Sequence, residues 1–531
     1  MPIVSNEGLD DPILFEQTNS FTGGVNNITS SKLLEPSQSV ELINVDIDRI
    51  GNAVTRRGTS SLSSSAVPEG TANIQGMYYF DTGTINQLVI CKNRKLFYYD
   101  GVAGSGSWTQ EGSSYLTNAA DNSVYFAQLS DKLYFCDGAS ALKSFNGTAV
   151  NSIPAAANAP SGIKLITSHT ERLFAVRTAE PDTIYVSDIL SAEGTSAWSS
   201  VDSFRVGGDG EPIIAMQSWT GFRLAVFKEN STYVIETDPT ATLASWVVQR
   251  ISREVGCIAP RSIAQVGANL YWLSRDGVRT MARTLAGTEQ EISEPISKVI
   301  DSTIREINTS VINKSAGAYW DNRYILSIPT STSSTPNTSI CYNTIHKTWS
   351  GKWTGDFKAS VFSPYTNSPS SLLCLATPDG RVLQWREWVK DENEVDSDYK
   401  DSGVAIPTSI TTREFTWGEP MSYKSLNNIE VQFYSSMATC SVYLVNDEGD
   451  TIASFQNIDS SSGSLGGLVL PFVLNSGAIL RNQQNRRRAR SLNGSTPSRG
   501  FQVVVESSSG KMNLQYVIVS AFLDAFVSEE L

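Results

Sequence analysis

One pattern constrains this chain more than any other. Between residues 72 and 390 an apolar run is followed by a short polar turn, an aromatic-rich run, a turn carrying Asp-Gly or Asn-Gly, and another apolar run. It recurs in INQLVICKNRKLFYYDG at 85–101, VYFAQLSDKLYFCDGASALKSFNG at 124–147, LITSHTERLFAVRTAEPDTIYVSD at 165–188 and IIAMQSWTGFRLAVFKENSTYVIE at 213–236. IAQVGANLYWLSRDGVRTMAR at 263–283, YWDNRYILSIPTS at 319–331 and SLLCLATPDGRVLQW at 371–385 follow the same logic. Runs apolar on both faces are strands packed between neighbours, and Asp-Gly or Asn-Gly turns reverse them. Repeats of about 40–50 residues are the spacing of propeller blades. Several units close on a tryptophan, Trp108, Trp198, Trp246, Trp349 or Trp385, a ring large enough to cover the gap between blades. The Gly-His and Trp-Asp signature of WD40 blades is missing.

The expected fold class is therefore all-β. It is a degenerate β-propeller of about six to seven blades at 61–392, with an N-terminal arm and hairpin at 1–60. An acidic linker at 393–407 and a C-terminal β-sandwich-like domain at 408–531 follow. The hairpin is read from VELINVDIDRIGNAVTRRG at 40–58, with Gly51-Asn52 as its turn and Arg56 and Arg57 at its exit. The sandwich is read from alternating segments such as NNIEVQFYSS at 427–436 and LQYVIVSAFL at 514–523. One departure from strands is expected at 291–308, where Ile296, Ile300 and Ile304 recur at helical spacing after a possible cap at Ser293.

Charged residues make up 18% of the 531, and the formal net charge is −13. That sign opposes binding to nucleic acid phosphates, which draws on Lys and Arg. It serves solubility alone, or a surface that a polyanion passes without sticking. Six cysteines, Cys91, Cys136, Cys257, Cys341, Cys374 and Cys440, are dispersed with no CxxC pair, so buried free thiols are expected. The amino terminus MPIVSNEGLDD has no signal-peptide pattern, and the apolar run LGGLVLPFVL at 465–474 is too short to span a bilayer.

Residues for catalysis are sparse. The two histidines, His169 and His346, lie in turn-like sequence and are read as exposed turn residues. Without histidine or clustered cysteine, triads and transition-metal sites lack their groups. Asp396, Asp398 and Asp401 miss the calcium-loop spacing, the third acid arriving one residue late, and are read as a solvated charge run. No catalytic residue, cofactor site or metal site is assigned. The exception to the acidic background is RNQQNRRRAR, with Arg481, Arg486, Arg487, Arg488 and Arg490 in what reads as a flexible loop. Arginine forks suit carboxylate and phosphate alike. With Arg56 and Arg57, these five are the partner- or DNA-contact candidates.

The layout resembles the tail nozzle, or tail hub, proteins of short-tailed bacteriophages, which include DNA-stabilisation and tail accessory proteins. The resemblance lies in FTGGVNNITSSKLLEPSQSVELINVDIDRIGNAVTRRG leading into a degenerate propeller, and in REFTWGEPMSYKSLNNIEVQF opening the last domain. It implies a structural virion protein and no enzyme, made and assembled in the host cytoplasm. Six copies would surround an axis below the portal and its adaptor, retain packaged double-stranded DNA, conduct it at ejection without sequence-specific binding, and anchor tail fibres or spikes. No small-molecule substrate is implied. The loop STSSTPNTS at 331–339 and the 456–500 segment would be bore or fibre-docking elements. A glycan-active propeller enzyme using paired carboxylates, or a generic propeller adaptor for other proteins, is the alternative.

Overall fold

The structure is a computed structural model describing residues 13–523, apart from 113, 118–122, 200, 240–241, 284–289, 368–369, 386–394, 435–437, 460–483 and 490–496. Among the described residues, seven four-stranded antiparallel modules follow one another along the chain. Blades 1 to 6 span 74–111, 125–152, 163–205, 213–252, 264–292 and 316–353. Blade 7 takes three strands from 361–385 and its outermost strand, Thr59–Ser61, from the start of the chain. The innermost strands of blades 7 and 1, Val361–Asn367 and Ile74–Asp81, lie side by side and close the ring. The chain is a seven-bladed β-propeller with a sandwich attached.

The strands form where the sequence places β-branched and aromatic residues. Second strands are buried on both faces: every residue of Arg323–Ile328 is buried, and six of the seven in Asn86–Lys92. Hydrophobic clusters fill the seams between blades. Trp108 lies in the cluster shared by blades 7 and 1 and donates to Ser63 Oγ at 2.9 Å. Trp246 stacks on Phe174 of blade 3 at 5.8 Å. Trp353 and Trp385 meet at 5.8 Å between blades 6 and 7. The covering role read for the tryptophans is what the rings do, although Trp385 stands on a third strand, Val382–Trp385. All six cysteines are buried free thiols, and burial pushes Cys257 up to about 12.

The N-terminal segment is not a separate arm. Val45–Ile47 pairs with Ala53–Thr55 as the expected hairpin, with Gly51 at φ +100 in its turn. That hairpin belongs to the C-terminal sandwich, because Ala53–Thr55 pairs with Asn513–Leu523. Ile13–Thr18 pairs with the same long strand, and Lys424–Tyr434 lies on its other side. The second sheet runs Gln38–Ile43, Thr408–Phe415, Phe501–Ser507, Thr439–Asn446 and Thr451–Asp459. Ile43 also bridges Lys352 in blade 6, so this sheet and the blade form one ten-stranded sheet. A single core runs from Val503, Val517 and Ile429 of the sandwich through Leu42 and Phe21 to Trp349 and Leu326 of blade 6.

Two further expectations change. Residues 291–308 hold the strand Gln290–Ile292, a 3-10 turn and a helix of only five residues, Asp301–Arg305. Ser293 caps nothing; its hydroxyl accepts the Thr280 N–H across a blade ladder. The isoleucine spacing reports a buried face, and Pro295 keeps the preceding residue out of helix. The acidic linker is a solvated run only in part where it is described, since Asp396 is exposed but Tyr399 and Asp401 are not. Lys400–Asp401 and Val404–Ala405 form a small hairpin, Tyr399 is buried, and Asp401 is 7% exposed. The 331–339 loop is held at its base, where Asn337 Oδ1 accepts from Thr330.

The tight reversals avoid glycine more often than the sequence suggests. Positive φ pairs occur at Asn93-Arg94, Thr170-Glu171 and Asp321-Asn322. The Thr170 turn carries His169, which is buried rather than exposed. Its ring nitrogens lie 2.8 Å from Ser218 Oγ and 2.7 Å from Thr237 Oγ1, tying blade 3 to blade 4. His346 is half-buried, with Nε2 2.7 Å from the Asp48 carbonyl oxygen. Burial pulls His169 down from 6.5 to about 4, so the folded protein holds it neutral. The unfolded chain then binds the extra proton between pH 6.5 and 4, and stability falls as pH falls through that window. The loss is about 3 kcal/mol. Denaturation at pH 7, 5.5 and 4.5 should show a shallower acid loss for His169→Gln than for the unsubstituted protein; parallel losses would contradict this origin.

Candidate functional site

One site among the described residues with room to receive another molecule lies at the propeller axis, where the innermost strands begin. In blades 1, 3 and 4 the first strand opens with a buried isoleucine, Ile74, Ile163 or Ile213. A register shift follows, so that Gln75, Lys164 and Ile214 drop out of the ladder. A β-bulge of this kind re-aims one side chain. Gln75 serves the fold, its Oε1 accepting the Arg94 N–H at 2.7 Å. Lys164 and Ile214 line a cavity of about 550 Å³ with Tyr125, Leu165, Ile258 and Asn313. That volume falls within the range of about 300–1,000 Å³ usual for ligand sites.

Arg261 crosses the same mouth. It leads into blade 5, yet its guanidinium donates to the carbonyl oxygens of Gln75, of Val124 at 3.1 Å and of Ser360 at 3.4 Å. It lies 5.3 Å from the ring centroid of Tyr125. One side chain thus joins blades 1, 2, 5 and 7, and burial pulls its pKa down. Burial also lowers Lys164, with no charged group contributing. Asp137 borders the cavity, but its carboxylate accepts the N–H groups of Ala139 and Ser140 and the Ser140 hydroxyl. Close approach fixes glycine nearby: a Cβ on Gly76 would lie 2.3 Å from the Val124 oxygen.

Arg56 and Arg57, singled out from the sequence, do not line this cavity. Arg56 is fully buried and paired through both Nη atoms with Asp401, so it is a structural ion pair and not a surface contact. Arg57 is 4% exposed, with its guanidinium 5.9 Å from the Tyr399 ring centroid. Arg486, Arg487 and Arg488 are not in a loop: Gln484–Ala489 is a strand antiparallel to Lys424–Tyr434, with Arg487 opposite Val431. Alternation in the facing strand favours such pairing over a free loop. Arg481 and Arg490, and most of the 456–500 segment, lie outside the described residues. Among the described residues, no three His, Cys, Asp or Glu side chains gather as metal ligands, and no helix is long and apolar enough to cross a membrane.

The axial site was missed because Lys164 is a single cation between two apolar neighbours, Ile163 and Leu165, which matches no binding motif. Its signal was the recurrence of Ile-x-(Gly, Leu or Ala) at 74–76, 163–165 and 213–215, which marks the bulge.

No protein-family description matches the chain, and no curated protein matches it. Solved structures do resemble it. YCF48 bound to D1 peptide is 12% identical, with a TM-score of 0.40, covering 65% of this chain and 98% of its own. BamB from Moraxella catarrhalis is 11% identical, with a TM-score of 0.36 and coverage of 60% and 85%. A chain of the mitotic checkpoint complex is 10% identical, with a TM-score of 0.38 and coverage of 61% and 94%. Likeness at this level concerns the fold alone, and the propeller assignment stands on the strand ladders.

Proposed function

We propose that this protein is a structural subunit of a virion tail, a nozzle or hub of which six copies surround a DNA path below the portal and its adaptor. The observation that carries the reading is the joint between propeller and sandwich. Both sequence strings that resemble tail nozzle proteins map onto it. The first supplies Gln38–Ile43, the Val45–Ile47 hairpin and the approach to Thr59–Ser61; the second, 413–433, supplies the end of the strand Thr408–Phe415 and nearly all of Lys424–Tyr434. The joint is one continuous sheet over one core, which suits a channel wall more than a pair of hinged domains.

Two features support assembly. Blades 3 and 4 carry exposed large apolar residues, with Leu190, Val201, Phe222 and Val247 all more than half exposed. Phe222 and Val247 come close there because Thr237 N–H donates to the Phe222 oxygen while neighbouring Glu236 pairs with Val247. Such residues are what subunit contacts cover. The charge of −13 per chain would give six copies about −78, a wall that repels a DNA backbone. On this reading DNA runs through the space enclosed by six copies, since Arg261 crosses the propeller's own axis.

Native mass measurement of the full chain, alone and with a portal–adaptor complex, tests the proposal. The expected result is a species of six times the 57.8 kDa chain in at least one condition, six-fold in images. A monomer in both conditions would overturn it.

A further inference from the structure

We propose that the mouth of the propeller axis is a carboxylate-binding site in which Lys164 pairs with the anion. This goes beyond the tail reading and does not depend on it, because the cavity belongs to a single propeller.

Three cations of the neighbouring second strands are each held by partners. Lys92, Arg177 and Lys228 end the second strands of blades 1, 3 and 4, each opposite the isoleucine that opens its blade. Lys92 Nζ donates to the oxygens of Val67, Gly70 and Gly380. Arg177 donates to Glu180 and to the Ser161 oxygen, and Lys228 is paired with Asp209. Lys164, half-buried on its bulge, has no hydrogen-bond or ion partner among the described residues. Arg261, which follows the cavity-lining Pro260, donates to neutral carbonyls and lies against the Tyr125 ring. Asp137 is turned to its own loop.

Lys164 thus faces the cavity with no carboxylate bonded to it among the described residues, in a chain of net charge −13. Burying an unpaired ammonium costs free energy that a bound carboxylate removes, and burial already lowers Lys164. The walls from Leu165, Ile213, Ile214 and Ile258 suit a short apolar stem. The ligand is therefore a carboxylate on a methylene stem, free as a small dicarboxylate or carried by a glutamate of an acidic peptide.

The test uses the full chain at low ionic strength and neutral pH, titrated calorimetrically with glutarate, with a capped Gly-Glu-Gly-Glu-Gly peptide, and with the same peptide carrying Gln for Glu. At least one acidic probe should bind and the Gln peptide should not. Lys164→Met should weaken binding about tenfold or more, as expected for loss of a charge-assisted hydrogen bond. Binding of glutarate alone identifies a free small carboxylate; binding of the peptide alone identifies an acidic protein segment. Acetylation of Lys164 in the unsubstituted protein, followed by mass spectrometry, should slow when the bound probe is present. Failure of both acidic probes, undiminished binding by Lys164→Met, or an unchanged acetylation rate overturns the proposal.

Discussion

Asp401→Ala should destabilise the protein by about 3–5 kcal/mol, the usual cost of leaving a buried charge without its partner. The Arg56 side chain has no solvent exposure and that of Asp401 has 9%. Arg56 Nη1 meets Asp401 Oδ1 at 2.9 Å, and Nη2 meets Oδ2. Nε donates to Asn44 Oδ1 at 3.0 Å, Nη2 also donates to the Thr354 oxygen at 2.6 Å, and the guanidinium lies 5.2 Å from the Phe357 ring centroid. Asp401 in turn accepts the N–H of Thr59 at 3.2 Å and of Asp356 at 3.1 Å. The pair therefore fastens the hairpin exit, the connection between blades 6 and 7, and the outermost strand of blade 7 at one point. Backbone packing is as close: a Cβ on Gly58 would fall 2.0 Å from the Lys400 oxygen. Denaturant unfolding at pH 7 measures the effect. The double change Arg56→Met with Asp401→Leu should be milder than Asp401→Ala alone, because it leaves no orphaned charge. A loss below about 1 kcal/mol for Asp401→Ala, the range of an exposed pair, would mean that the closure does not depend on it.

Trp353→Ala should cost about 3–5 kcal/mol, as large-to-small changes of buried aromatics do. Trp353 is fully buried on the outer strand of blade 6, edge-on to Phe357 at 4.9 Å and beside Trp385. Its Nε1 donates to the Val45 oxygen at 2.8 Å, so the ring fills the seam between blades 6 and 7 and also holds the sandwich hairpin. Trp353→Phe should lose less, keeping much of the apolar volume but leaving the Val45 oxygen without this donor, a cost of about 1–3 kcal/mol. Equal losses for the two substitutions would show that packing contributes little beyond the hydrogen bond. Both variants are read by denaturant unfolding followed by fluorescence and circular dichroism.

Local structure was largely legible in the sequence. The strands of blades 1 to 4 fall where apolar runs meet turn residues, and the Val45–Ile47 hairpin turns at Gly51 as read. Asp401, Arg56 and Arg57 were misread for a shared reason. Charge in a sequence implies solvent unless a partner is known, and the partner of Arg56 is 345 residues away. His169 was misread similarly, since its hydroxyl partners Ser218 and Thr237 belong to the next blade.

Amino-acid order alone determined that this chain makes short strands in repeated modules, because alternation, β-branching and turn chemistry act over a few residues. Tertiary structure decided that Thr59–Ser61 completes blade 7 and that residues 13–55 belong to the last domain's sheets. It also decided that Lys164 faces the axis without a partner while Lys92 is enclosed. Periodicity specifies that a face is buried and not what buries it. Pairing between segments hundreds of residues apart is settled only when sheets, cores and counter-charges meet.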